Sequence, residues 1–525
     1  MRAGLLAFVF AAVLSAASIS GVTNAAGTLP PGLPNSGVAQ GAIFVVYGAG
    51  LGPATLQQAQ SFPLPATQGL GGTTVQVTVG GVTETCIMIY SSDGQVAAIL
   101  PSATPVGLGT LTVNYQGDSA SIALQVVTAT FGTYTLNEGG TGPAVVTDAN
   151  YNAITMVNPA HPGQTLILWG TGLGASTDDE TLPPQQVDLG TGVQVYIENQ
   201  PATVLYAGRS TDPGLDQINF TVPTGISGGC KTSLAVLEQG VVGNVTTMAI
   251  APAGQSTCGD TLGFLTQANL KKAVSTGTLN IADVALYRFG SNSDTLAADF
   301  ANYPVASLVS SYGGSVRPSP GSCTAYETYN TSTVIDPLAP LRLDAGPNLL
   351  VTGTLGDKTV IATSTGYYPS VLGAAGSFIE AGAYAVSNGS GGADVGVFDW
   401  KLIVPAPVGF TNLPAVINRS QDLTVTWSGG SAFPLVSIFG VSGVPQGGGN
   451  TSYVQFYCTA TGSAGQFTIP TLILNLLPTN GYGAAGVTGA AIEIAGVEEH
   501  AFAVSGIDVA IFNSLTYSGR VLTVQ

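Results

Sequence analysis

The residues of this chain that could do chemistry are few, and they fall into a handful of groups. Gly48, Gly50 and Gly52 follow the apolar run "FVVY", a spacing at which a strand can turn into a helix and cradle a phosphate. His161 in "NPAHPGQ" and His500 in "GVEEHAF" are the only two imidazoles available for acid–base work. Asp148, Asn150 and Asn152 alternate side-chain oxygens, and Asp178, Asp179 and Glu180 cluster three carboxylates; hard calcium ions use both patterns. Asp394 with Asp399, and Glu498 with Glu499, are the pairs from which glycoside hydrolysis would draw its acid and base.

Spacing weakens most of these candidates. Paired carboxylates at positions of unlike parity along a strand face opposite sides, which separates both pairs. A triad on His500 would need a nucleophile elbow on a strand-to-helix turn, and none is expected. No cysteine or histidine pair has the spacing of a zinc site. "DANYN" sits between two strand-like runs, where Asp and Asn also serve a hairpin loop, so calcium remains an option and no other cofactor is expected. No catalytic residue is assigned.

The elements that must position these residues begin with a leader. Arg2 precedes the apolar stretch 3–17, and Thr23-Asn24-Ala25 offers small residues at a cleavage site, so residues 1–25 read as a secretory signal peptide. The mature chain then starts near Ala26 and is secreted or held at the cell surface, with no later membrane-spanning segment. It carries 11 basic against 29 acidic residues, a net −18 once Arg2 is removed. That balance repels phosphate backbones and anionic lipid, excluding nucleic acid as a partner. Charged residues make up only 8% of the chain beside 71 glycines and 31 prolines, a composition suited to short strands and many turns.

An internal repeat decides the glycine question. "GAIFVVYGAGLGPA" (41–54) recurs as "GQTLILWGTGLGAS" (163–176), "TVQVTVGG" (74–81) matches "GVQVYIEN" (192–199), and "GQVAAILPS" (94–102) matches "DQINFTVPT" (216–224). Gln95 and Gln217 keep the same offset of 122 residues as the glycines. In the second copy "ASTDDETLPPQQ" follows the turn, and its prolines cannot open a phosphate-binding helix. The glycines therefore read as a sharp turn with positive φ at the edge of a β-sandwich. Strand-Gly-x-Gly-x-Gly followed by further strands resembles the IPT/TIG immunoglobulin-like domain. Residues 142–174 and 193–223 resemble an acidobacterial family of secreted proteins built on such repeats, one with no assigned reaction. The resemblance spans about 130–255 strongly and 28–128 more weakly, and it implies a fold and a location only.

The expected organisation is all-β: immunoglobulin-like sandwiches at 28–128 and 129–257, a connector at 258–277 with a short helix over 262–274, a β-rich domain at 278–403 and a sandwich-like domain at 404–525. Cys230 and Cys258 flank one strand-rich stretch and could bridge neighbouring strands, Cys323 with Cys458 would be a long-range staple, and Cys86 would stay a buried thiol. Five cysteines allow 15 arrangements of two bridges, so other pairings stay open. Among the aromatics, Trp169 and Trp427 lie in apolar alternation and read as core, Trp400 is open, and Tyr367-Tyr368 in a turn-rich segment should expose at least one ring to a ligand. These features point to a non-enzymatic binding, adhesion or scaffold protein whose partner is an extracellular protein or polysaccharide. The alternative is a polysaccharide-active enzyme, or its accessory subunit, with its site in 278–525.

Overall fold

The computed structural model describes residues 17–525 except 185–186, 190–191, 260–265, 289–291, 308–316, 330–339, 448–449 and 484–486. Residues 1–16, which hold most of the expected leader, lie outside the described residues. The chain is all-β. Its first unit is a sandwich of two five-stranded sheets. In Thr73–Val79 ("TTVQVTV") every second residue is buried, the period that a one-sided strand dictates. Phe44, Val46, Val75, Val77, Met88, Leu111 and Val113 fill the space between the sheets. Gly107–Tyr115 and Asp118–Val127 form a hairpin whose Gln116 and Gly117 both have positive φ, the geometry that matches strand twist. The strand Ser18–Asn24 pairs antiparallel with Ile43–Ala49, so the fold includes residues that were expected to leave with the leader.

The second unit repeats this plan. Thr165–Thr171, Gln194–Ile197 and Asp216–Thr221 stand where Ile43–Ala49, Thr73–Val79 and Gln95–Ile99 stand in the first. Leu166, Leu168, Val195, Ile197, Ile218 and Phe220 build its core. Polar groups join the two units. Arg209 of the second donates to the carbonyl of Gly41 in the first at 3.2 Å. Glu180 accepts from the Ser102 backbone N–H at 2.8 Å and from its hydroxyl at 2.7 Å.

Beyond Cys258, which is bonded to Cys230, the expected helix runs Gln267–Thr276, five residues later at its start than expected. Thr266 and Asn269 cap it reciprocally, and Gly277 ends it in a left-handed conformation. The two C-terminal blocks are not separate in space, because a single 11-stranded sheet draws strands from both sides of the expected boundary at 403/404. Thr278–Arg288 lies parallel to Val509–Thr516, and Cys323–Tyr329 pairs with Asn450–Thr461, bringing Cys323 opposite Cys458 to form the second disulfide. Local periodicity carries no information about pairings this distant in sequence. Cys86 is the one free cysteine and is buried. Against the large sheet packs a four-stranded sheet in the order Gly356–Ile361, Asn348–Gly353, Gly382–Ser387, Asp399–Val404. Its inward residues, among them Val351, Tyr384, Val386, Trp400 and Leu402, share a core with Phe300, Tyr368 and Phe512. Among the described residues no helix is long and apolar enough to cross a membrane.

Candidate functional site

The outer face of the four-stranded sheet carries an open groove of about 630 Å³. Its origin lies in alternation. Burying Tyr384, Val386, Trp400 and Leu402 turns Ala383, Ala385, Lys401 and Ile403 outward. Registers place Ala383 beside Ile403, and Ala385 between Lys401 and Thr352. Two alanines on the middle strand, flanked by longer side chains, leave a trough. Glu498 and His500, from the strand Ala490–Phe502 of the large sheet, form the remaining wall. Residues two apart share a face, and His500 Nε2 lies 2.7 Å from Glu498 Oε1. Lys401 is exposed and stands 3.5 Å from Asp399. The groove thus offers an aliphatic floor, a cation, an imidazole, a hydroxyl and one carboxylate.

The carboxylate pairs separate. Glu499 faces the opposite side from Glu498 and binds Arg317 at 2.5 Å, as strand parity requires. Parity does not describe the other pair, because Asp394 lies in the loop before the strand that Asp399 opens, and it accepts from the Asp344 N–H at 2.8 Å. His161 lies exposed in a turn, its backbone N–H bonded to the Gln164 side chain at 3.0 Å. Gly225-Ile226-Ser227-Gly228-Gly229 does spell the elbow pattern that was not expected. No helix follows it, and the Ser227 and Gly228 N–H groups are spent on the Glu198 carboxylate at 2.8 and 3.0 Å.

Two of the calcium candidates, Asp148 and Asp179, act on their own loops. Asp148 accepts from the Asn150 and Asn152 backbone at 2.8 and 2.9 Å and from the Asn152 side chain at 2.9 Å, bonds that hold its pKa below the ordinary carboxylate value. Asp179 likewise accepts from the Thr181 N–H and hydroxyl, while Glu180 turns away to Ser102, and the Asp178 side chain has a buried oxygen without a hydrogen-bond partner. Among the described residues no three His, Cys, Asp or Glu side chains converge on a metal position.

The second-copy glycine turn does hold an anion, but an internal one. The N–H groups of Gly172 and Leu173 donate to Asp216 Oδ2 at 2.7 and 2.8 Å. Asp216 is fully buried and paired with Arg209, whose other nitrogen donates to Gly174 O at 2.7 Å. Burial raises the Asp216 pKa, opposed by Arg209 and by these N–H groups. The first copy has Gly94 at the position of Asp216 and holds no such carboxylate. Positive φ applies to Gly50, Gly172 and Gly174 but not to Gly48, Gly52 or Gly170. A Cβ on Gly48 would lie 2.0 Å from Ser18 O, and one on Gly170 would lie 2.2 Å from Gly132 O, so close backbone approach is what demands glycine there.

Of the aromatics read from the sequence, Trp169 is the one that departs from expectation. Tyr368 is core and bonded to Gly346 O, leaving Tyr367 as the outward ring, 4.9 Å beneath the Arg342 guanidinium. Trp427 is buried, and Trp400 is buried with its ring stacked 4.0 Å from Phe398. Trp169 is not core: it faces outward beside Tyr151, ring centroids 6.1 Å apart, and donates to Thr147 Oγ1 at 3.0 Å. Its strand alternates, but the neighbours Leu166 and Leu168 take the inner face.

No protein-family model matches the sequence, and no curated protein matches it. Solved structures similar to parts of it include the full extracellular region of plexin A4, at 14% identity over 43% of this chain, with a TM-score of 0.16. This chain spans 18% of that plexin region. SGBP-B from a complex xyloglucan utilization locus in Bacteroides uniformis is 12% identical over 97% of this chain and 100% of that one, with a TM-score of 0.16. The titin Ig tandem A164–A165 is 9% identical over 41% of this chain and 90% of that one, with a TM-score of 0.11.

Proposed function

We infer that this is an exported, non-catalytic binding protein and that the groove over Ala383 and Ala385 takes a strand of polysaccharide. The observation that carries this reading is the mixture of groups along one open trough. Ala383, Ala385 and Ile403 can meet the C–H face of a sugar ring, while Thr352, Lys401, Glu498 and His500 supply donors and acceptors for its hydroxyls. Glu498 is the carboxylate among the lining residues, and Asp399 stands 3.5 Å from Lys401 on the same strand face. The resemblance to exported IPT/TIG-like proteins agrees with a binding role outside the cell.

Filling the trough tests the reading. Ala385→Phe adds a ring on the outer face and leaves the core residues on either side of it untouched. On a glycan array the wild-type chain should retain at least one polysaccharide, and the variant should lose it while unfolding at an unchanged temperature. Release of reducing ends from any array member by the wild type would count against a non-catalytic role.

A further inference from the structure

We propose that the leader is cut no later than Ala17, and that Ser18–Asn24 stays as the first strand of the mature protein. The inference rests on the export reading above. Three observations carry it. The strand is fully integrated: Ser18 pairs with Ala49, Ile19 with Gly48, and the pairing continues to Asn24 with Phe44, while Ile19 and Val22 pack on the core of the first sandwich. Removal after Ala25 would open the row of backbone groups on Ile43–Ala49 to solvent as a bare sheet edge.

Asn24 is the second observation. It is 1% exposed, its amide donates to Thr171 O at 3.0 Å and Thr130 O at 3.4 Å, and its carbonyl accepts from the N–H groups of Ala26 and Gly27 at 2.8 and 3.1 Å. It therefore bridges the first sandwich to the second. Cleavage beyond it would leave buried carbonyls of the second unit without this partner.

The repeat supplies the third. In the second sandwich Gly132–Thr133 pairs with Gly170–Thr171, and the Gly132 carbonyl fills the space where a Gly170 side chain would project. In the first sandwich the Ser18 carbonyl fills the same space at Gly48. Both copies thus carry a glycine that only an N-terminal strand accounts for, and in the first copy that strand is 18–24. The leader also offers an earlier site, since Ser15 and Ala17, at the end of the apolar stretch, provide small residues at the two positions a signal peptidase reads.

The test is to express the full chain with its own leader in a bacterial host, recover the exported protein, and read its N-terminus by sequencing and intact mass. The expected start is Ser18. An exported protein that starts at Ala26, or anywhere beyond Ser18, overturns the inference but leaves export standing. A chain kept inside the cell with residues 1–17 attached overturns the export reading and this inference with it. Asn24→Ala gives an independent readout. If residue 24 belongs to the mature fold, the exported variant should differ from wild type in mass and unfold roughly 5 °C lower. Variant and wild type of identical mass and unfolding temperature would overturn the inference.

Discussion

Replacing Arg209 with methionine should be among the most damaging single changes in the N-terminal half. The guanidinium is buried, pairs with the buried Asp216 carboxylate, and donates to Gly41 O in one sandwich and Gly174 O in the other. Methionine keeps much of the apolar stem but strands the carboxylate with only the two N–H groups of Gly172 and Leu173. Breaking a buried pair by removing one partner costs about 3–5 kcal/mol, because the remaining charge stays desolvated. At ~2–4 °C per kcal/mol for a segment of this size, the loss is roughly 6–20 °C in unfolding temperature. The assay is calorimetry together with urea unfolding. Burial raises the Asp216 pKa, and without Arg209 less opposes it, so the folded variant binds a proton that the unfolded chain releases. The variant should therefore recover stability as pH falls. Arg209→Met with Asp216→Leu should cost less than Arg209→Met alone, since no charge is then left buried. An Arg209→Met protein within ~1 kcal/mol of wild type, or a double variant as unstable as the two single changes summed, would refute the reasoning.

Glu238 gives a pH prediction. Burial, and then the nearby Asp216, push its pKa from 4.5 to about 8. The folded state therefore holds a proton that the unfolded chain loses, and this group's contribution is full below about pH 4.5 and falls by up to ~1.4 kcal/mol per pH unit until about pH 8. Glu238→Gln should flatten that part of the stability–pH curve in thermal melts and stabilise the protein at pH 8; an unaltered slope would contradict the assignment. For calcium, Asp148, Asp179 and Glu180 are engaged within the protein, so adding calcium or a chelator should leave the unfolding temperature unchanged within ~1 °C, and a dose-dependent rise would contradict their reading as turn and junction residues.

The legible part of the molecule was the part that repeats or alternates. The offset of 122 exposed two copies of one sandwich, and alternation located strands such as Thr73–Val79. What resisted reading was set by partners distant in sequence. Gly48 is glycine because of a carbonyl 30 residues upstream, and the Gly172 turn binds Asp216, 44 residues on; both looked like local turn chemistry. Trp169 alternates correctly but sits on the outer face, since alternation alone does not say which face is buried. The 11-stranded sheet rests on parallel and long-range pairings that no local pattern records. The groove has no motif at all: its floor is two alanines, recognisable only once the strands beside them are known. One signal was available, because Glu498 and His500 are two apart on a strand and had to share a face, just as Glu499 had to leave it.

Affinity electrophoresis of the mature chain through gels cast with individual polysaccharides tests the groove most directly. Wild-type protein should be retarded by at least one of them, and Ala385→Phe should migrate as it does in a gel without polysaccharide. Equal retardation of the two proteins, or free migration of wild type through every polysaccharide, would contradict it.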